Sequence, residues 1–172
     1  MDYLKMVEQF HKTFDQVVLP EPAIPTGERC ALRLGLIQEE LDELAKAYND
    51  GDVTEMADAL ADLMYVVAGT VLESGLKDKF NQLFAEVHRS NMSKACSSYA
   101  EAQATVEGYG IPCDIRPKTL DGKDVFLVFR KSDNKLLKSI NYSPADIKSA
   151  ITCTRCVCEL TCPNCNGWHE SL

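Results

Sequence analysis

The chain has 172 residues, with 26 acidic against 18 basic side chains and a formal net charge of −8. That length allows one domain with a real core plus an appendage. The acidic balance excludes a binder of nucleic-acid backbones, which needs a basic face, but not a binder of phosphorylated small molecules if metal ions intervene.

The start, MDYLKMVEQFHKTF, lacks the basic-then-apolar order of a secretion signal. It reads as an amphipathic helix with Leu4, Val7, Phe10, His11, Phe14, Val17 and Val18 on one stripe. LPEPAIPTGE (19–28) ends that helix with three prolines and a glycine. Further helices are expected over 28–49, stopped by NDGD, over 53–74, ended by Gly75, and over 77–89. Their short connections predict an all-α, antiparallel four-helix bundle as the first domain, residues 1–94. The longest apolar stretch, LMYVVAGTVL (63–72), is too short to span a bilayer. A soluble cytoplasmic protein without a membrane partner is the expectation.

After HRSNMSK the composition shifts, and residues 95–150 read as a small α+β extension. ACSSYAEAQATVEGYG suggests a helix ended by Gly108 and Gly110. KDVFLVFRKSDNKLLKSI predicts a hairpin: a β-rich run, a turn at Ser132, Asp133 and Asn134, and a second short run. SPADIKSAI predicts a short helix opened by Ser143 with Pro144 at its first position.

Residues 151–172 form a Cys-rich tail. Cys153-x-x-Cys156 and Cys162-x-x-Cys165, with Cys158 between and His169 beyond, present four thiolates in the usual manner for tetrahedral zinc. Without a secretion signal such a cluster predicts metal rather than disulfides. The competing reading is a reduced tail that takes up metal opportunistically.

Acidic residues concentrate in two groups: Glu39, Glu40 and Glu43, then Glu55, Asp58 and Asp62. At about 100° per residue, each group occupies one face of its helix. Leu34, Ile37, Leu41, Leu44 and Tyr48 lie opposite the first group, as an ordinary core stripe. Leu32, Leu36 and Ala47 share the acidic side, which predicts that this side is covered too. From Leu63 to Leu72 the third helix is apolar all round, as a buried central helix would be. Between Asp50 and Ser74 there is no basic residue. Crowded carboxylates on covered faces repel one another, and divalent metal held by hard oxygen ligands is the economical compensation. A solvated acidic face is the plainer alternative.

EELDE at Glu39, Glu40 and Glu43, followed by EMADALADLMYVVAG, resembles the MazG-like all-α NTP pyrophosphohydrolases, a superfamily that includes phosphoribosyl-ATP pyrophosphohydrolase. The likeness covers residues 1–94 and extends more loosely to NKLLKSINYSPADI (134–147), similar to a C-terminal segment of some bacterial and phage members. The family's second motif is Glu-x-x-Asp. Glu55-x-x-Asp58 matches its spacing, whereas DLMYVVAG makes Asp62 the motif's aspartate and leaves Ala59 where its glutamate would stand. Asp58 and Asp62 are preferred, with Glu55 as an outer contributor.

The resemblance implies Mg²⁺ (or Mn²⁺) held by Glu39, Glu40, Glu43, Asp58, Asp62 and Glu55, with Glu39 orienting or deprotonating water. It implies hydrolysis of a (d)NTP to monophosphate and pyrophosphate, a house-cleaning role. Arg89, Asn91 and Lys94, and more weakly Lys138 and Asn141, would bind substrate. A homodimer or homotetramer is implied as well. The rival readings are the phosphoribosyl-ATP step of histidine biosynthesis and a non-catalytic, zinc-tailed interaction module.

Overall fold

The computed structural model describes residues 2–120 and 122–152. Six helices and one two-stranded sheet occupy them: α1 Tyr3–Thr13, α2 Gly27–Asp50, α3 Val53–Glu73, α4 Phe80–Met92, α5 Tyr99–Tyr109, β1 Cys113–Leu120, β2 Lys123–Arg130 and α6 Ile147–Thr152. The chain divides into two compact units, Met1–Phe80 and Asn81–Leu172.

In the first unit the long helices start and stop where the sequence says. Thr26 caps α2, and Asp52 caps α3 by accepting from the Thr54 and Glu55 amides at 2.9 and 3.1 Å. Gly51, in the left-handed conformation, ends α2, so α2 and α3 fold back on each other as an antiparallel pair. α1 packs on α3 through Val7, Ala68 and Leu72, with Leu4 and Val18 alongside. The chain after α1 runs back past the end of α3, with the Leu19 amide on the Leu72 carbonyl and the Ala23 amide on that of Ser74. Gly75 permits this approach. A Cβ there would stand 1.9 Å from the Glu21 carbonyl oxygen.

This unit buries a charge network. Glu73 is fully buried and accepts from Arg29, through Nε at 2.9 Å and through Nη2. Arg33 Nε stands 2.8 Å from Glu73 Oε1, close enough for charge attraction but off-line for a hydrogen bond. Arg33 Nη2 reaches His11 Nε2 at 3.0 Å, and His11 Nδ1 reaches the Val17 carbonyl at 2.8 Å. An N–H on Nδ1 donating to that carbonyl leaves Nε2 to accept from Arg33. His11 is thus a packing residue that joins α1 to α2.

Of the four helices expected in the bundle, α1, α2 and α3 lie in this unit, and all but the first residue of α4 belongs to the other. The expected opposite core stripe on α2 is a correction: Leu44 is buried and Ile37 half-buried, but Leu34, Leu41 and Tyr48 are exposed. Nor is α3 covered all round, for Leu60, Met64, Tyr65 and Val67 are exposed.

In the second unit, α5 packs on the sheet around Cys96, Ala102, Val128 and Leu137. Ser98 caps α5 and Gly110 ends it. The hairpin differs from the expectation. β2 pairs with β1 in the register Cys113↔Arg130 to Leu120↔Lys123, whereas the run after the Ser132–Asn134 turn makes an isolated bridge, Phe129↔Leu136. Pro117 disguises β1, since proline disfavours central strands; a two-stranded sheet has only edges and tolerates it. The last helix also starts later than expected. Asp146 accepts from the Ser149 amide at 3.0 Å and α6 begins at Ile147, while Ser143 and Pro144 lie in the segment before it.

Candidate functional site

Two acids are turned from solvent between α2 and α3: Glu73, answered by Arg29 and Arg33, and Glu40. Along α2 from Arg33 onward the positions turned from solvent are Arg33, Leu36, Ile37, Glu40, Leu44 and Ala47, a three-four stripe. Glu40 interrupts it as the sole acid, half-buried between apolar neighbours. On α3 the buried positions include Ala59, at 2% exposure, and Gly69. A Cβ on Gly69 would come 2.2 Å from Arg33 Nη2, so the glycine makes the space this guanidinium occupies.

The other acids flank the seam. Glu39, Glu43, Glu55, Asp58 and Asp62 are exposed, which corrects the expectation of two covered acidic faces. The reason is geometric: the seam takes one residue per turn, and its neighbours on either side face water. They still act on Glu40. Burial first, then the charges of Asp62, Glu43, Glu39 and Asp58, push the Glu40 carboxyl above its ordinary range. Glu55 stands at the opening of α3, where its charge bears on Lys46.

None of these six carboxylates forms an ion pair with a lysine or arginine among the described residues. Nor do three His, Cys, Asp or Glu side chains among those residues converge tightly enough to hold a metal ion. In donor chemistry the set nonetheless fits a hard divalent cation: its ligands are carboxylate oxygens alone, and four of them bear on the half-buried Glu40.

The expected substrate-binding residues lie in the second unit. Arg89 is engaged there: Nε and Nη2 donate to Glu86 at 2.8 Å each, Nη1 to Ser143 Oγ at 3.0 Å, and Nη2 also to the Pro144 carbonyl at 3.0 Å. Glu86 also accepts from the Asp146 amide at 2.7 Å. The Arg89 and Asp146 bonds lower the Glu86 carboxyl to about 2. Asn91 is exposed and accepts from Lys94 Nζ at 2.7 Å. Lys138 Nζ sits over the Tyr142 ring, 4.2 Å from its centroid. Asn141 lies beside Glu101, whose carboxylate accepts from Ser97 and Ser139.

Sequence reasoning passed over Tyr142, Ser90 and Ser93. Ser90 and Tyr142 share a hydroxyl–hydroxyl bond of 2.8 Å, and Ser93 Oγ accepts from the Ser143 amide at 3.0 Å. The signal available was Tyr142 itself, the one aromatic in LLKSINYSP (136–144), two residues before Pro144. The tail candidates Cys153, Cys156, Cys162 and Cys165 lie outside the described residues.

Compared with known proteins, residues 7–91 match the family described as phosphoribosyl-ATP pyrophosphohydrolase. No curated protein matches the chain. The matched segment holds both acidic groups and the Glu40 seam, and through it the chain belongs to the MazG-like all-α NTP pyrophosphohydrolase superfamily, whose members are hydrolases acting on acid anhydrides.

Proposed function

We propose that the protein is a Mg²⁺-dependent nucleoside triphosphate pyrophosphohydrolase that converts a (d)NTP and water to the (d)NMP and pyrophosphate, cleansing the nucleotide pool of the cytoplasm. One observation carries the reading: Glu40 is held in the α2–α3 seam with Asp62, Glu43, Glu39 and Asp58 around it, none of them in an ion pair with a lysine or arginine among the described residues. Glu40, Glu43, Asp58 and Asp62 would hold Mg²⁺ or Mn²⁺, with Glu55 as an outer contributor. The metal, when bound, neutralises phosphate charge and acidifies a coordinated water. Glu39, exposed beside Glu40, is free to orient the attacking water or accept its proton. Phosphoryl chemistry of this kind asks little covalent help of the protein; position and charge do the rest.

Asn91, Lys94, Lys138, Asn141 and Arg89 supply polar and cationic groups for the substrate. Lys94 and Lys138 suit phosphate as point charges, and Asn91 can read a base edge. Arg89, bound to Glu86 and to the segment at 143–144, shapes that corner rather than reaching out from it. The exposed apolar residues of α2 and α3 favour a homodimer or homotetramer. A structural Zn²⁺ on Cys153, Cys156, Cys162 and Cys165 is proposed from their spacing.

A second reading, the phosphoribosyl-ATP step of histidine biosynthesis, is favoured by the description of the matched family. A panel of (d)NTPs and phosphoribosyl-ATP with Mg²⁺, read out as pyrophosphate, decides between them. Turnover of at least one (d)NTP is expected. Turnover of phosphoribosyl-ATP alone selects the second reading, and none at all leaves a zinc-tailed interaction module.

A further inference from the structure

Apolar burial alone does not explain which side of α2 meets α3. Leu34, Ile37, Leu41, Leu44 and Tyr48 make an uninterrupted apolar stripe on that helix, yet Leu34, Leu41 and Tyr48 are exposed. The stripe turned inward shares Ile37 and Leu44 with it and adds two charged residues, Arg33 and Glu40. The centres of the two stripes lie about 70° apart around the helix, at about 100° per residue. Rolling α2 by that angle would bury two leucines and a tyrosine in place of an arginine and a glutamate. Within one chain the hydrophobic effect favours that other roll, so a feature of α3 selects the charged side.

Glu73 is that feature. It is fully buried and requires a counter-charge where it stands. Arg29 and Arg33, one turn apart on α2, both meet it: Arg29 donates from Nε at 2.9 Å, and Arg33 Nε stands 2.8 Å from Oε1. Two anchors one turn apart fix how α2 is rotated as well as its height along α3. A third element holds Arg33 further, since its Nη2 meets His11 Nε2 of α1 at 3.0 Å. The guanidinium lies in the space left at Gly69, where a Cβ would stand 2.2 Å from Nη2. Glu40 follows Arg33 by seven residues, two turns on and within about 20° of the same direction. Holding Arg33 against α3 therefore holds Glu40 in the seam.

We propose that the buried Glu73–Arg33 pair, seated on Gly69, sets the roll of α2 against α3, and that Arg33 is thereby a positioning residue for Glu40. Fixing register at some cost in stability is an attested use of buried polar groups. The consequence for function rests on the metal-dependent hydrolase reading above, in which Glu40 is a ligand.

The test is carbodiimide labelling of carboxylates in the metal-free full chain, read residue by residue by mass spectrometry, beside Mn²⁺ affinity measured by electron paramagnetic resonance. In the wild type, half-buried Glu40 should label more slowly than exposed Glu39 and Glu43. Arg33→Leu combined with Glu73→Leu replaces the pair by apolar side chains, a change that leaves stability little altered, so helical dichroism should persist. Glu40 should nonetheless label as fast as Glu39. Mn²⁺ should bind about tenfold more weakly, the usual effect of removing a ligand's support. Arg33→Lys, which keeps a cation for Glu73, should restore part of both. Gly69→Ala crowds the guanidinium without removing a charge, and it should speed Glu40 labelling in the same direction.

Glu40 labelling as slow as in the wild type, in a folded double variant or, where that variant does not fold, in Gly69→Ala, would overturn the proposal, because apolar packing would then set the roll. Expected labelling with no Mn²⁺ bound by the wild type keeps the roll and loses the hydrolase reading. Mn²⁺ bound equally by wild type and double variant, with Glu40 still slow to label, does the reverse.

Discussion

Glu73 shows how much one side chain can decide. It is fully buried with Arg29 and Arg33 around it, and His11 continues the network into α1. Removing one partner of a buried ion pair strands the other, at about 3–5 kcal/mol. Glu73→Ala, leaving two guanidiniums without a counter-charge, should lower the urea midpoint by a corresponding amount with an unchanged slope. Gly69→Ala strikes the same network from the other side. Its Cβ would meet Arg33 Nη2 at 2.2 Å, and that guanidinium is pinned by Glu73 and His11. A loss of about 1–3 kcal/mol, the usual effect of overpacking, is expected in the same assay.

Glu40 makes the opposite bargain. A carboxyl raised above its unfolded value adds stability below that value and loses it as pH rises through the folded one. At neutral pH the ionised Glu40 therefore weakens the metal-free fold. Glu40→Gln should raise the metal-free melting temperature by about 2–5 °C, abolish stabilisation by excess Mg²⁺, and lower turnover by about 10–100-fold or more. A variant that melts lower without metal would sink this account of the seam.

At the scale of elements, the helices of the first unit were legible because each carries its own punctuation: Thr26, Gly51, Asp52 and Gly75 mark ends that local chemistry enforces. β1 was not, because Pro117, Arg116 and Lys118 mask a strand whose inward positions are few. The segment 138–146 was illegible for another reason. It has no periodicity, and it is placed by side chains far away in sequence: Ser93 on Ser143, Ser90 on Tyr142, Arg89 on Ser143 and Pro144. The acidic groups could be read, but not that Glu40 alone of their six members lies in the seam, since that depends on how α2 is rolled against α3.

The Glu86–Arg89 clamp on that segment has a definite pH window. Glu86, normally near 4.5, is lowered to about 2, so its contribution is whole above pH 4.5 and fades as pH falls toward 2. Its side chain is 20% exposed, so solvent screening reduces the effect to roughly 1–2 kcal/mol. Tyrosine near-UV dichroism should report loosening around Tyr142 across that range. Glu86→Gln should flatten the transition.

For the whole molecule the informative feature is what the chain leaves uncovered. Leu34, Leu41 and Tyr48 on α2 are exposed at seven-residue intervals, and so are Val53, Leu60 and Val67 on α3. Such spacing makes an apolar seam on each helix that wants a facing helix, and an isolated surface of this kind marks an interface. On α2 the spacing was visible in the sequence, where Leu34, Leu41 and Tyr48 read as part of an internal core stripe. A single sequence cannot say whether a helix's partner comes from the same chain. Association must also overcome repulsion between copies that each carry a net charge of −8, so apolar burial has to supply the attraction and added salt should strengthen it by screening. Sedimentation should therefore find a dimer or tetramer that tightens with salt. Leu41→Lys combined with Leu60→Lys should shift it to monomer while helical dichroism changes little, because both side chains are already in water within one chain. A wild-type chain that sediments as a monomer at every salt concentration would mean that these seams are not covered by a second copy.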